Sequence, residues 1–350
     1  MAVVIPLLVR SIYDYSRIYA GYQKRNLLHS PDNGDLRILV CAHRQDDAWA
    51  AVKLLEASNP TKESPLVVCA LNLVELVGRA SPLLINHEFG QKMSATGSRS
   101  QNVIDIFKYY EKQNSGLVNV QALTAISMPK FMHHDICSLA FDRLASLIIL
   151  PFHRKWNYQG KVILDSNIWR TINNDVLDMA PCSVGILLDR RKMQKSTVSL
   201  FSSANRVAII FLGGDDDREA LAYAKRMANS SEVQLTVVRV VALDDATEDN
   251  WETMLDAEIL KEVRFQCSLK SNMVYIEKGV KDGPDTALLV RSMEDAFDLI
   301  LVGRRHRVDS PLLSGLTEWT ELPELGAIGD LLASTDDSEI LKSEGCEVGC

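Results

Sequence analysis

Short apolar runs alternate with segments of helical periodicity along most of this chain, and the alternation begins twice. The pattern constrains the fold more than any other feature, because near-continuous apolar strands separated by amphipathic helices belong to parallel sheets covered on both faces. In the first pass Leu36–Ala42, Leu66–Leu73, Asn119–Ile126, Leu147–Leu150 and Ser183–Asp189 read as strands. Helices fall between them: one capped by Asp46 or Asp47 and running to about Ser58, then Gln101–Gln113, Pro129–Ala145 and Asn167–Met179. In the second pass Asn205–Leu212, Val233–Val241, Asn272–Glu277 and Leu299–Val302 are strands, and Asp216–Asn229, Glu252–Cys267, Thr286–Ala296 and Ile328–Ser334 are helices. Asp216-x-x-Glu219 has the form of a capping box. The expected fold is therefore α/β, with two tandem doubly wound parallel-sheet modules packed on each other.

The 350 residues divide accordingly: 1–30 before the first module, 31–190 for that module, a basic linker at 191–204, a second module at 205–334, and a polar, acidic tail at 335–350 expected to be disordered. With 47% hydrophobic residues the chain has the material for a substantial core. A formal net charge of −8 opposes long-range attraction to phosphate backbones, so no nucleic-acid partner is expected. The longest apolar stretch, Ala2–Val9, contains Pro6 and falls far short of the ~20 residues needed to span a bilayer. It runs into Arg10, Arg17, Lys24 and Arg25, interleaved with Tyr13, Tyr15, Tyr19 and Tyr22, as expected just inside the cytosolic end of a membrane helix or for an ordinary amphipathic helix. Seven cysteines without a Cys-x-x-Cys pair indicate neither a disulfide framework nor a zinc knuckle. Cys346 and Cys350 do not form a prenylation signal, since position 347 is Glu.

Six blocks carry a resemblance: Leu73-Val-Glu-Leu-Val-Gly-Arg-Ala-Ser-Pro82, Leu147-Ile-Ile-Leu-Pro-Phe-His-Arg-Lys-Trp156, Ala180-Pro-Cys-Ser-Val-Gly-Ile-Leu188, Gly213-Gly-Asp-Asp-Asp-Arg-Glu-Ala220, Leu301-Val-Gly-Arg-Arg-His306 and Glu318-Trp-Thr-Glu-Leu-Pro-Glu-Leu-Gly326. In this order, across residues 1–336, they resemble the C-terminal domain of the plant cation/H+ exchanger (CHX) family. The resemblance implies an antiporter of potassium or another monovalent cation for protons, serving potassium and pH homeostasis at an endomembrane or the plasma membrane. It further implies that the exchanger's membrane domain is elsewhere, that residues 1–30 are the end of its last span and a juxtamembrane helix, and that the two modules are similar to universal stress proteins on the cytosolic face. No transport residue carries over onto this sequence. Nucleotide-binding stress proteins have a Gly-x-x-Gly loop after the fourth strand; here Gly303-Arg304-Arg305-His306 lacks the second glycine and Pro151-Phe152-His153-Arg154 lacks both. The apolar edge strand that the family adds after Ser334 is also missing from the tail, so the second sheet lacks a fifth strand or takes one from a partner.

Candidate sites follow from where open α/β sheets bind ligands, at the carboxyl ends of strands. His153, Arg154 and Lys155 stand after one fourth strand and Gly303, Arg304, Arg305 and His306 after the other, so both are candidate anion or nucleotide loops; a solvated basic loop or an intermodule salt bridge is the structural alternative. Gly213 and Gly214, followed by Asp215, Asp216 and Asp217, suit either a phosphate approach or a tight strand-to-helix turn with capping carboxylates. His133 and Cys137 share a helix face, but two ligands do not make a metal site, so no metal is expected. His133, His134, His153 and His306 are candidate pH sensors, because imidazole alone titrates near neutrality when unperturbed. Glu75 and Arg79 are spaced to pair if their block is helical.

No Walker A loop, Gly-x-Gly-x-x-Gly fingerprint, Gly-x-Ser-x-Gly elbow or His-Glu-x-x-His motif occurs, and no enzymatic activity or cofactor is expected. The leading expectation is a regulatory and assembly module that dimerises or binds the membrane exchanger domain. The alternatives are a stand-alone nucleotide-binding universal-stress-type protein and, third, a hydrolase on the same scaffold.

Overall fold

The computed structural model describes residues 25–29, 34–77, 81–87, 98–157, 161–190, 206–243, 251–307 and 310–334. The sequence expectations for residues 1–24, for the whole 191–204 linker and for the 335–350 tail lie outside them.

The first half builds strands β1 (Leu36–Ala42), β2 (Leu66–Glu75), β3 (Leu83–Asn86), β4 (Val118–Ser127), β5 (Leu147–Pro151), β6 (Arg154–Trp156), β7 (Val162–Asp165) and β8 (Ser183–Leu187). Helices α1 (Gln45–Ala57), α2 (Ser98–Gln113), α3 (Pro129–Asp142) and α4 (Asn167–Met179) lie among them. The main sheet has the order β3-β4-β2-β1-β5-β8, and every pairing is parallel except that of edge strand β3 with β4. The chain moves outward from β1 through β2 to β4 and then returns to the other side of β1, which puts the switch in strand order between β1 and β5. Burial on both faces explains the continuous apolar runs: Leu36, Ile38 and Val40 of β1 face one core, and Leu39 and Cys41 face another.

The second half repeats the plan with β9 (Arg206–Phe211), α5 (Asp215–Met227), β10 (Gln234–Ala242), α6 (Trp251–Leu269), β11 (Met273–Val280), α7 (Gly283–Met293), β12 (Leu299–Val302), two 3₁₀ turns (Pro311–Leu313 and Thr317–Trp319) and α8 (Gly326–Ala333). The sheet order is β11-β10-β9-β12, all parallel, with the switch between β9 and β12. Among the described residues no strand lies beyond β12, whereas β8 holds the corresponding place in the first sheet.

The two sheets share a helix layer. One continuous cluster joins β1, β2 and α1 residues such as Val40, Val68 and Leu55 to Val207, Ile209, Leu221 and Val237 of the second half. Polar contacts close the seam: Tyr223 and Ser58 share a hydroxyl contact of 2.5 Å, and Arg226 donates to the Ser58 carbonyl at 3.0 Å and the Ser64 carbonyl at 2.9 Å. A smaller cluster makes a second joint, where Leu322, Leu325 and Ala333 meet Phe152, Trp156, Ile186 and Leu188.

Three local features differ from the sequence reading. Strand β3 and the β6–β7 pair are additions, each only three or four residues long, too short to show a period. The Leu73–Pro82 block is not helical where it is described, because Glu75 closes β2 and Leu76 and Val77 follow as extended chain; Arg79 lies outside the described residues. The expected capping box at Asp216 and Glu219 does not form. Helix α5 begins one residue earlier behind Gly214, and Glu219 instead accepts from the Leu27 and Leu28 amides, at 2.8 and 3.2 Å, and from Ser183 Oγ at 3.0 Å, tying the chain's entry to the second half.

Candidate functional site at the strand tips

At the carboxyl end of β9 the chain must turn sharply into α5. Gly213 and Gly214 make that turn at φ +119° and +102°, a region that side chains disfavour. Asp217, in the first turn of α5, then reaches back into the space above the switch point. Its carboxylate is completely buried and accepts from the Leu212 amide at 2.7 Å, the Gly213 amide at 2.8 Å and, across the switch point, the Gly303 amide at 2.9 Å. His306 Nε2 lies 3.2 Å from both of its oxygens. Gly303 is required by proximity: a Cβ there would stand 2.8 Å from the Asp217 amide nitrogen and overlap the carboxylate.

The neighbouring donors are engaged in the same manner. Asp216 accepts from the Arg305 amide at 2.9 Å and from its guanidinium at 2.7 Å. Burial works against the charge on Asp216, and these Arg305 bonds outweigh it, holding the carboxyl below its ordinary range. The Gly214 amide donates to Asp256 of α6 at 3.1 Å, and Asp256 also receives the buried guanidinium of Arg218, which bridges to Asp215. The anion held by the glycine loops is thus the chain's own. The expected loop of Gly213, Gly214, Gly303, Arg304, Arg305 and His306 is assembled in space, but the amides of Gly213, Gly214, Gly303 and Arg305 all donate to side-chain carboxylates.

The first half repeats this plan. Asp47, 5% exposed, accepts from the His43 and Arg44 amides, each at 3.1 Å, and is met by Lys155 from beyond β5. The free space at this tip, bounded by Cys41, Asp47, Ala50, Pro151, Lys155 and Asp189, is about 10 Å³. That holds about one water, against the ~300 Å³ or more of a ligand pocket. In each half an aspartate in the first helical turn fills the cradle and a cation from the fourth-strand loop faces it: Lys155 in one, His306 in the other.

His153 and Arg154 do not join either tip. Arg154 lies in β6 and donates to Asp165 of β7 at 2.8 Å. His153, its side chain fully buried, stands 3.4 Å from both Asp165 and the buried Glu324, which Arg170 also grips at 3.0 Å. This is the smaller joint between the halves, where Arg154 also approaches Glu321 of the second half at 3.9 Å. Burial lowers the His153 pKa against the pull of Glu324 and Asp165. His133 packs over His134, with ring centroids 4.2 Å apart, and approaches Asp175 at 3.5 Å; burial, with His134, lowers its pKa against the pull of Asp175 and Asp135. His306 differs in direction: burial depresses it, but the Asp217 bond and charge, with Asp216 behind, more than offset that, and its pKa stands above the ordinary imidazole value.

No group of three metal-capable side chains occurs among the described residues, and Cys137 is buried in the core. Sequence reasoning missed the central roles of Asp47, Lys155 and Asp217. A signal existed: Asp46-Asp47 and Asp216-Asp217 are each the second and third residues of the first helix of their half. His43 was also missed: it is stacked on Trp169 at 3.5 Å and driven by burial to a pKa of about 4.

Comparison with known proteins places these features. Residues 204–343 match a family described as plant cation/H(+) antiporter, C-terminal domain, and residues 68–192 match a plant cation/H(+) antiporter domain. Cation/H(+) antiporter 3 of Arabidopsis thaliana is 43% identical over 347 residues, covering 95% of this chain and 42% of its own length. Cation/H(+) antiporter 15 of the same plant is 40% identical over 363 residues, covering 96% of this chain and 44% of its own length. The chain thus spans less than half the length of these curated relatives. Among solved structures, a universal stress protein from Archaeoglobus fulgidus aligns over 86% of this chain and 93% of its own at 14% identity with a TM-score of 0.43. Among the described residues no helix is long and apolar enough to cross a membrane.

Proposed function

The chain belongs to the plant cation/H(+) antiporter family, and from that premise we propose that it is the regulatory and assembly region, on the cytosolic face of an endomembrane or the plasma membrane, of an exchanger of potassium or another monovalent cation for protons. It carries no transport pathway and performs no reaction of its own; it contributes to potassium and pH homeostasis by binding the membrane exchanger domain and by pairing with a second copy. The observation that carries this reading is the pair of strand tips closed by internal ion pairs, of which one, Asp217 with His306, includes an imidazole whose pKa the aspartate raises above its ordinary value. A region that favours one protonation state of His306 in one arrangement biases the exchanger between populations of different activity, which is all that regulation requires. The stand-alone nucleotide-binding alternative is disfavoured because a phosphate would have to displace Asp217 and Asp256 from the Gly213, Gly214 and Gly303 amides. The test is potassium-dependent growth and vesicle pH in transporter-deficient cells expressing the whole exchanger with and without this region, and with His306→Gln. Loss or altered pH dependence of exchange supports the proposal; identical exchange in all three refutes it.

A further inference from the structure

Helix α6 is held to the second sheet by one narrow face, where Asp256, Leu260 and Val263 are buried. Its opposite face is not polar. Trp251, Leu255, Phe265 and Leu269 project into solvent at 63%, 39%, 64% and 70% exposure, with Met254 beside them at 68%. Together with Glu258 and Glu262 these positions recur at alternating intervals of four and three, a continuous seam of about 27 Å at 1.5 Å per residue. The matching helix of the first half, α2, exposes only Tyr109 among its large apolar side chains, so the seam is not a feature of the module plan. Apolar groups at both ends with carboxylates between them define the occupant's chemistry. Glu262 takes Lys225 at 2.7 Å, Glu258 has no ion-pair partner among the described residues, and Lys261 stands at the seam's margin.

A second copy of the chain does not suit the seam, because a two-fold antiparallel pairing would set the Glu258 and Glu262 of two copies against each other. Anionic lipid is opposed by the same two charges. What suits it is a helix with apolar ends and a basic middle. Cytosolic segments of membrane domains are rich in Lys and Arg, and the relatives of this chain are antiporters more than twice its length. We propose that the α6 seam docks a basic amphipathic helix on the cytosolic side of the membrane exchanger domain; this rests on the regulatory reading above and assigns the contact surface it requires. The seam lies on the face of α6 opposite Asp256, so a partner docks there without displacing Asp256 from Gly214 and Arg218.

The test uses the purified chain and a synthetic helical peptide of about 18 residues, matching the seam's length, with leucines at both ends of one face and lysines between them. Trp251 reports binding, and Trp251→Phe identifies its share of the emission. We expect a saturable blue shift that is lost in Trp251→Phe, with an affinity at least about tenfold weaker in Glu258→Lys/Glu262→Lys, both exposed sites that leave the fold intact. The proposal is overturned by the absence of a shift, by equal binding of a peptide with glutamates in place of the lysines, by binding to anionic vesicles that charge reversal leaves unchanged, or by self-association through this face that Phe265→Glu abolishes. Because the titration reads no transport, its failure is distinct from a failure of the exchange assay above.

Discussion

Replacing Asp217 by alanine should be among the most damaging single changes at the strand tips. The substitution strips the Leu212, Gly213 and Gly303 amides of their shared acceptor and removes the charge facing His306. Hydrogen bonds to a charged acceptor contribute about 1.5 kcal/mol each at the low end of their range, so three of them set an expected loss of about 4.5 kcal/mol. Asp217→Asn retains one oxygen, which can serve Leu212 and Gly213, and turns an NH₂ group toward the Gly303 amide; its expected cost is about 2 kcal/mol. Urea unfolding followed by circular dichroism measures both. Formate, a free carboxylate small enough for the vacated space, should recover part of the alanine variant's stability and leave the parent unchanged. A loss below about 1 kcal/mol for the alanine variant, or equal costs for the two substitutions, would refute the view that this carboxylate is the structural anion of the site.

The remaining expectations concern neighbouring groups. Because the folded pKa of His306 is raised, its bond to Asp217 contributes fully below the ordinary imidazole value and fades as pH rises through the folded value; His306→Gln should flatten that part of the stability profile, and unchanged pH dependence would count against a stabilising Asp217–His306 pair. His43 behaves oppositely: with a folded pKa near 4 against about 6.5 unfolded, stability of up to about 3 kcal/mol is lost as pH falls through that window, and His43→Phe, which keeps the stack on Trp169, should remove the loss in acid-melting experiments. Arg218→Met leaves Asp256 without its buried guanidinium and should cost about 3–5 kcal/mol, partly restored by adding Asp256→Asn, as read by thermal melting. Gly303→Ala crowds the Asp217 carboxylate and should imitate Asp217→Asn in urea.

Both parallel sheets were legible because their strands are buried on two faces and therefore written in Val, Ile, Leu and Ala, as Leu36–Ala42 and Val207–Phe211 illustrate. Helix limits were less so: α2 starts at Ser98, three residues before the expected Gln101, and α7 at Gly283 instead of Thr286, because terminal turns are decided by capping more than by apolar period. Strand β3 left no trace, since its Leu83 and Leu84 are both exposed on an edge.

The same division holds at the site. The order of residues along the chain determined that two sheets would form and that Gly213, Gly214, Gly303 and His306 would gather at the end of one of them, because strand direction and crossover connection bring first- and fourth-strand loops together. Which anion those donors hold was decided only in three dimensions: Asp217 is distant from Gly303 in sequence and reaches it only once β9 and β12 are paired. Likewise, the basic segment after β5 was visible as charge, but that Lys155 would close a cradle while His153 turned toward Glu324 depended on how the halves pack. Local pattern specifies elements because period and propensity act over a few residues; the partner of a buried charge is specified by the whole fold, because removal from water requires the complement to be delivered by another element.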